Sequence, residues 1–275
     1  MKRVLGALAV AALLAARAAE GGPWAQGARH AYTKVSFQHL QARRYAQPDG
    51  TVFDIPRLRS SELSFFGSFG LTDRLTLWVN VPLVRSSDLA DDPDELGREN
   101  GFGDLGFALQ AQLGARGPWV FAVRGSLQIP TGDEMRSEGL QATGSGVYES
   151  AGVLGAGRSF AGGRGFGFAE AGYKYRGGGL RDALVYAAQV GWKAGRRATL
   201  VWNVRGEEPF SHAPGTAALN SFVGVGDRVT YVVYGPSVIL DFGRGWGAQL
   251  DLEGSFHARN LAQGPMFRGG ITYHR

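Results

Sequence analysis

The sequence predicts an all-β fold, a transmembrane up-and-down antiparallel β-barrel of about 12 strands behind a cleaved signal peptide. Three observations predict it: apolar and polar residues alternate in short segments, the connections between segments are by turns tight and long, and the N-terminus carries an export signal. Alternation is plainest where Leu75, Leu77, Val79 and Val81 interleave with Thr76, Trp78 and Asn80. It recurs where Leu105, Phe107, Leu109, Ala111 and Leu113 interleave with Asp104, Gln110 and Gln112. Side chains of a strand point alternately to its two faces, so each segment has one oily face and one polar face. A soluble sandwich alternates in the same way, and the other two observations decide between them.

At the N-terminus Met1, Lys2 and Arg3 precede an apolar run from Val4 to Ala16 and a small-x-small motif at Ala16-Arg17-Ala18. A run of about 13 residues falls short of the ~18 that a spanning helix needs, so residues 1–19 are expected to be a signal peptide. Residues 20–30, which contain Trp24, then form a periplasmic N-terminal tether, and residues 31–275 the barrel.

Strands are expected near 31–46, 59–69, 74–84, 102–113, 118–130, 146–157, 165–176, 183–193, 198–206, 229–240, 246–257 and 266–275. The connections at 70–73, 114–117, 158–164, 194–197 and 241–245 are short and rich in Gly and Arg. Those at 47–58, 85–101, 131–145, 177–182, 207–228 and 258–265 are longer. Short turns at one end and long loops at the other are the pattern of an up-and-down barrel with both termini in the periplasm.

Composition agrees. The 43 glycines among 275 residues exceed the ~7% of average proteins, as suits a bending, tilted wall. Cysteine is absent, which excludes a disulfide scaffold and thiolate metal sites. The net charge of +5 comes from basic residues scattered singly, which argues against a nucleic-acid partner.

Charge orients the wall, because a Lys or Arg at the lipid midplane costs about 2–4 kcal/mol whereas the lumen is wet. Lys34, Glu62, Asp104, Arg124, Lys174, Lys193, Arg205, Asp251 and Glu253 are therefore expected to point inward, with Asn80, Gln128 and the aromatic rings of Phe66 and Trp78 beside them. These residues are the expected lining of the lumen, with Phe168 and Tyr231 as further candidates. Trp119, Trp192, Trp246 and Tyr273 fall near strand ends, where amphipathic rings form an interfacial girdle. The segments 146–157 and 229–240 are apolar on both faces and their orientation stays open. Pro82, Pro130 and Pro236 count against central pairing unless a bulge or a strand end receives them.

Motifs for chemistry fail on context. Gly101-Phe102-Gly103-Asp104-Leu105-Gly106 spells a dinucleotide fingerprint, but a strand follows it where a helix N-terminus is required. The acidic stretch from Asp88 to Glu99 does not fit an EF-hand, since counting from Asp92 puts Leu96 where the third ligand should be. Ser255 and His257 lie two apart on one strand and are the nearest approach to a hydrolase pair, without an orienting third group. No enzyme, cofactor or metal is expected.

Three ordered segments carry a family resemblance: Gly70-Leu71-Thr72-Asp73-Arg74-Leu75-Thr76-Leu77, Gly101-Phe102-Gly103-Asp104-Leu105 and Ile129-Pro130-Thr131-Gly132-Asp133. In this order they resemble the MetA-pathway of phenol degradation family of outer-membrane proteins, in which a "YGLTDR" turn, a "GLGDL" strand start and a "PTG" strand end follow one another. Phe69 stands where that family has Tyr. The resemblance spans roughly residues 60–270 and implies a transporter-like barrel in the outer membrane of a Gram-negative-type bacterium. It also implies a link with uptake of hydrophobic or aromatic compounds, and no catalytic residues.

The partners expected are outer-membrane lipid and a small solute, with the oligomeric state left open. About 12 strands leave a narrow bore, between the filled interior of 8 and the wide pore of 16 to 18. Passive diffusion of a small, partly apolar solute is the first reading. A barrel with a plugged lumen that binds partners through loops 85–101 and 207–228 is the second, and a hydrolase using Ser255 and His257 the third.

Overall fold

The computed structural model describes residues 22–89, 99–133, 142–211 and 227–275. The expected signal peptide lies outside them, as do most of the acidic loop and the tip of the loop after residue 211. Twelve long strands make the wall: β1 (Ala31–Ala46), β2 (Val52–Gly70), β3 (Leu75–Leu89), β5 (Leu105–Arg116), β6 (Trp119–Ile129), β7 (Glu149–Phe160), β8 (Gly165–Arg176), β9 (Ala183–Ala194), β10 (Ala198–Pro209), β11 (Thr230–Gly243), β12 (Trp246–Arg259) and β14 (Met266–His274). Two three-residue strands, β4 (Glu99–Gly101) and β13 (Leu261–Gln263), extend the long-loop rim by pairing with β3 and β1.

Every pairing is antiparallel, successive long strands pair along the sequence, and β1 pairs with both β2 and β14. That last pairing closes the cylinder, so no wall strand is left with an open edge. Several strands overrun their expected limits at the long-loop end: β2 begins at Val52, β3 continues to Leu89 and β10 to Pro209. The extensions of β3 and β10 are mostly polar and lack the alternation that marks a strand, whereas that of β2 carries Val52, Phe53, Ile55 and Leu58 around Pro56.

The outer face is apolar. Phe37, Val190, Leu250 and Ile271 are each more than half exposed, and their neighbours on either side along the strand face the interior. Burial orients the two ambiguous strands. In β7, Val153 is buried while Leu154 is 66% exposed; in β11, Tyr231 and Ser237 face inward while Tyr234 and Phe242 face out. Trp119, Trp192, Trp246 and Tyr273 all lie on the outer face at the short-turn end, with the last two rings 4.9 Å apart.

The prolines are received in three ways. A register shift beside Leu63 and Ser64 makes room at Pro82, where Ser64 pairs with Pro82 and Leu63 with Val84. Pro130 follows the end of β6. Pro236 sits mid-strand opposite Trp202 of β10, and on its other side the ladder to β12 passes from Tyr234–Gly254 directly to Ser237–Asp251. A proline has no N–H to give the skipped rung. Gly235 beside it takes the close approach of the Leu252 carbonyl, where any side chain would collide.

Closed barrels of this kind resist detergent until heated. Leu250 of β12 lies on the lipid-facing side four residues beyond Trp246 of the ring girdle, so Leu250→Arg is expected to lower the unfolding free energy in vesicles by about 2–4 kcal/mol. Urea titration followed by gel mobility of unheated samples measures it.

Candidate functional site

The interior is built from the polar halves of the strands. Small residues on odd-numbered strands of the sheet let long side chains from their two neighbours meet over them. Arg124 of β6 reaches over Val153 and Gly155 of β7 to Glu170 of β8, with Nη2 2.6 Å from Oε1. Lys174 of β8 reaches over Ala183 and Val185 of β9 to Glu207 of β10 at 3.0 Å. Arg205 of β10 reaches over Val233 and Gly235 of β11 to Glu253 of β12 at 2.7 Å.

Shorter links complete a girdle. Glu149 accepts from Arg176 Nε at 2.8 Å and pairs with Lys174 Nζ at 2.8 Å. Glu62 pairs with Arg85 at 2.6 Å. Asp251 accepts from Gln249 at 2.9 Å, and Arg268 Nη1 stands 3.9 Å from it while donating from Nη2 to Gln38 at 2.7 Å. Charges of both signs alternate around the bore, each beside its opposite. A charge deprived of its partner in such a place is strongly destabilising, so the pairs hold one another in position.

Aromatic rings lie within and below the girdle. Phe66 and Trp78 meet edge to face at 6.0 Å, Tyr32 follows Phe66 at 6.2 Å, and the Arg124 guanidinium lies 4.5 Å above the Trp78 ring. Asn80 stands beside Trp78 in the wall of a cavity of about 240 Å³ that also touches Gln128, Glu149 and Lys174. A larger cavity of about 460 Å³ opens toward the long loops between the Glu62–Arg85 and Arg205–Glu253 pairs, with Leu40, Tyr231 and Met266 on its apolar side. A third, of about 230 Å³, shares Arg205 and Glu253 with it, and Phe66, Trp78 and Arg124 with the first.

Asp104 does something else. Its carboxylate accepts from Gln128 Nε2, from the backbone N–H groups of Gly132 and Ser145, and from the Ser145 hydroxyl. It thereby ties both roots of the loop at 131–145 down onto the bore, helped by Arg85 donating to the Thr143 carbonyl at 3.0 Å. Gly132 and Gly144 touch each other and Asp104, and a side chain at either would collide. Gly132 of the Pro130-Thr131-Gly132 segment and Gly144 thus serve close packing around one carboxylate.

The stretch read as a tether enters the barrel. From β1 it turns back into the short-turn mouth, where Gln26 bonds to Ser68 and Thr76, Ala25 N–H donates to Gln112, and Gln110 donates to the carbonyls of Gly22 and Trp24. Trp24 packs edge-on against Phe166 and Phe168, each at 6.2 Å, opposite Gly157. The segment occupies the side of the bore lined by β3, β5, β7 and β8. Across from it a cavity of about 260 Å³ remains at the mouth between Tyr32, Lys193, Thr199, Asp241 and Thr272. Lys34 is buried just above this level on β1.

The remaining sequence candidates for chemistry come apart. Ser255 faces the 460 Å³ cavity, but His257 has a positive φ of 52°, which breaks the two-residue period and leaves its ring half exposed, 3.6 Å from Glu208. Serine and histidine therefore do not share a face. The Gly101–Gly106 stretch runs into β5, with no helix beyond it. Among the described residues no cluster of metal-ligating side chains occurs.

Sequence reasoning did not single out Arg85, Glu149, Glu170, Arg176, Glu207 and Arg268. Arg85 and Glu207 lie past the strand ends read from alternation, and Glu149 in a strand left unoriented. Glu170 and Arg268 were accessible to parity, since Glu170 is four residues from Lys174 on the same strand.

No family model and no curated protein matches the sequence. Solved structures do match in fold. The COG4313 outer membrane channel from Pseudomonas putida F1 superposes with a TM-score of 0.67 at 18% identity, over 94% of this chain and 98% of that one. The NanC porin gives 0.56 at 7% identity over 88% and 98%, and the CymD monoaromatic hydrocarbon channel 0.51 at 9% over 91% and 89%. In fold, with its apolar outer face and girdle of rings, the chain is a twelve-stranded transmembrane-type β-barrel similar to these outer-membrane channels.

Glu149→Gln leaves Lys174 and Arg176 with one carboxylate fewer in a buried cluster, and is expected to destabilise the barrel by about 3 kcal/mol. Thermal unfolding in detergent, followed by loss of the compact gel band, tests this.

Proposed function

We propose that this barrel is an outer-membrane channel for passive diffusion of small, partly hydrophobic or aromatic solutes, and not an enzyme. The observation that supports the reading is the run of neighbouring cavities, sharing lining residues, from the long-loop mouth to the Phe66 and Trp78 rings. A solute of one or two rings matches cavities of this size, and aromatic faces offer it weak stacking contacts that it can leave. Lys34, Glu62, Phe66, Trp78, Asn80, Asp104, Arg124, Gln128, Lys174, Lys193, Arg205, Asp251 and Glu253 form the lining of this passage in the proposal.

Pairing of the lining charges fits an uncharged or weakly polar cargo. An ion entering the bore meets a cation and an anion side by side, with little net field to draw it in. A sugar meets donors and acceptors already engaged with one another. The resemblance in sequence to the MetA-pathway of phenol degradation family supports the same class of solute, and we assign the chain to that group of transporter-like barrels as part of the proposal. The CymD structure is named for a monoaromatic hydrocarbon channel, which agrees with it.

A second reading is favoured by a specific observation. The Arg124–Glu170 and Arg205–Glu253 pairs, with the Trp24 segment below them, fill much of the bore, as a structural or surface-binding barrel with a closed lumen requires.

Planar bilayers and vesicles separate the two. The channel reading expects small, ohmic conductance with a reversal potential near zero in a salt gradient, and faster uptake of toluene-like solutes than in empty vesicles. Absence of both conductance and uptake sinks it. If the paired girdle sets the neutrality, Glu253→Gln frees Arg205 and shifts the reversal potential toward anion selectivity. Trp24→Ala is expected to raise the conductance by widening the short-turn mouth.

A further inference from the structure

The arginines of the short-turn rim are not used by any of the above. Each of the five short connections carries or adjoins at least one exposed arginine, namely Arg74, Arg116, Arg158 with Arg164, Arg196 with Arg197, and Arg244, against only Asp73 and Asp241 of opposite sign. Acidic and basic residues are mixed at the other end of the barrel, among its described residues as in its sequence. The basic excess is therefore localised, and its position along the wall is known from the girdle of rings.

On the outer face three residues lie side by side across three strands. Arg116 of β5 pairs in register with Trp119 of β6, and Trp119 with Arg158 of β7. All three are exposed, and the Arg158 guanidinium lies 5.8 Å from the Trp119 ring centroid. Neighbouring strands are about 4.8 Å apart, so the two arginines bracket the indole at a separation of roughly 10 Å between their backbones. Their side chains are long enough to converge on one group. The motif is repeated nearby, where Arg164 lies 5.7 Å from the Trp192 ring, itself packed against Phe160.

We propose that Arg116, Trp119 and Arg158 form a binding site on the lipid-facing wall for the phosphate of an anionic phospholipid of the periplasmic leaflet, with Arg164 and Trp192 as a second, weaker copy. Three features argue for a lipid rather than a soluble anion. The site lies on the outer face, directly beyond the apolar belt formed by Phe121, Val123 and Leu154 on the same strands. Its central ring is of the kind that settles at headgroup depth, oily toward the acyl chains and polar toward water. Guanidinium is the cation that grips phosphate by two parallel hydrogen bonds while keeping a face against an aromatic ring. A lipid presents a phosphate and an acyl chain together at that depth. Free phosphate offers nothing to the belt.

This site is independent of the bore, so the inference stands or falls apart from the channel reading. The full-length protein in detergent is titrated with phosphatidylglycerol, with phosphatidylcholine, and with inorganic phosphate. Retained lipid is counted by native mass spectrometry, and the unfolding temperature is read in parallel. Phosphatidylglycerol is expected to be retained and to raise the unfolding temperature, whereas phosphatidylcholine and phosphate do neither. Replacement of Arg116 or Arg158 by Gln is expected to weaken retention by about fivefold for each arginine replaced. Arg43→Gln with Arg44→Gln, at the opposite rim, serves as the control and is expected to leave it unchanged. Gel mobility of unheated samples reports whether each variant has closed its barrel. Retention of both lipids alike, an equal response to inorganic phosphate, or undiminished retention in the Arg116→Gln, Arg158→Gln double variant would each overturn the proposal.

Discussion

Closure of the sheet is the constraint on which the rest depends. In hydrocarbon there is no water to satisfy a backbone N–H or carbonyl, so a sheet can span only if it has no edge. Here β1 meets that demand by pairing on both sides, with β2 along its whole length and with β14 over Tyr32 to Leu40. Once the cylinder is closed, the two-residue period of every strand divides its side chains between lipid and bore. The pairing given up beside Pro236 lies between strands that remain paired above and below it.

What fills the bore follows from the same geometry. A twelve-stranded wall is too wide for its own side chains to fill with apolar packing, yet narrow enough that long charged side chains reach past a neighbour. Glycine, alanine and valine on the intervening strands leave the space for Arg124, Lys174 and Arg205 to find their carboxylates. Such pairs are stable in a half-wet interior because neither member is fully stripped of solvent and each satisfies the other. The result is a girdle whose charges are spent on one another, and whose aromatic residues present the contact surface that remains. The N-terminal segment then narrows one side of the short-turn mouth, and the residual space runs along the other.

Much of this was legible in the chain. Alternation and unequal connections specified a barrel, its approximate strand count and which face meets lipid, because each of those is a local property of spacing. Leu250 and Asp251 are assigned to opposite faces by parity alone. Legibility ended where local pattern did. Strands were cut short at 84 and 206 because the rim above the membrane has no apolar face to alternate, and so Arg85 and Glu207 were missed. The strand that follows Gly101–Gly106 excludes a nucleotide motif, but nothing local says that Asp104 holds Gly132 and Ser145, residues from a different loop.

The sequence by itself determined the membrane-spanning strands and the lipid-facing surface, since periodicity and the exclusion of charge from hydrocarbon act residue by residue. Only the tertiary structure decided which inward charges pair, how residues 22–30 fold back into the mouth, and why His257 turns away from Ser255. Those outcomes depend on strand stagger, on one-residue register shifts and on which small side chains fall between larger ones. They arise between strands, and no single strand's sequence encodes them.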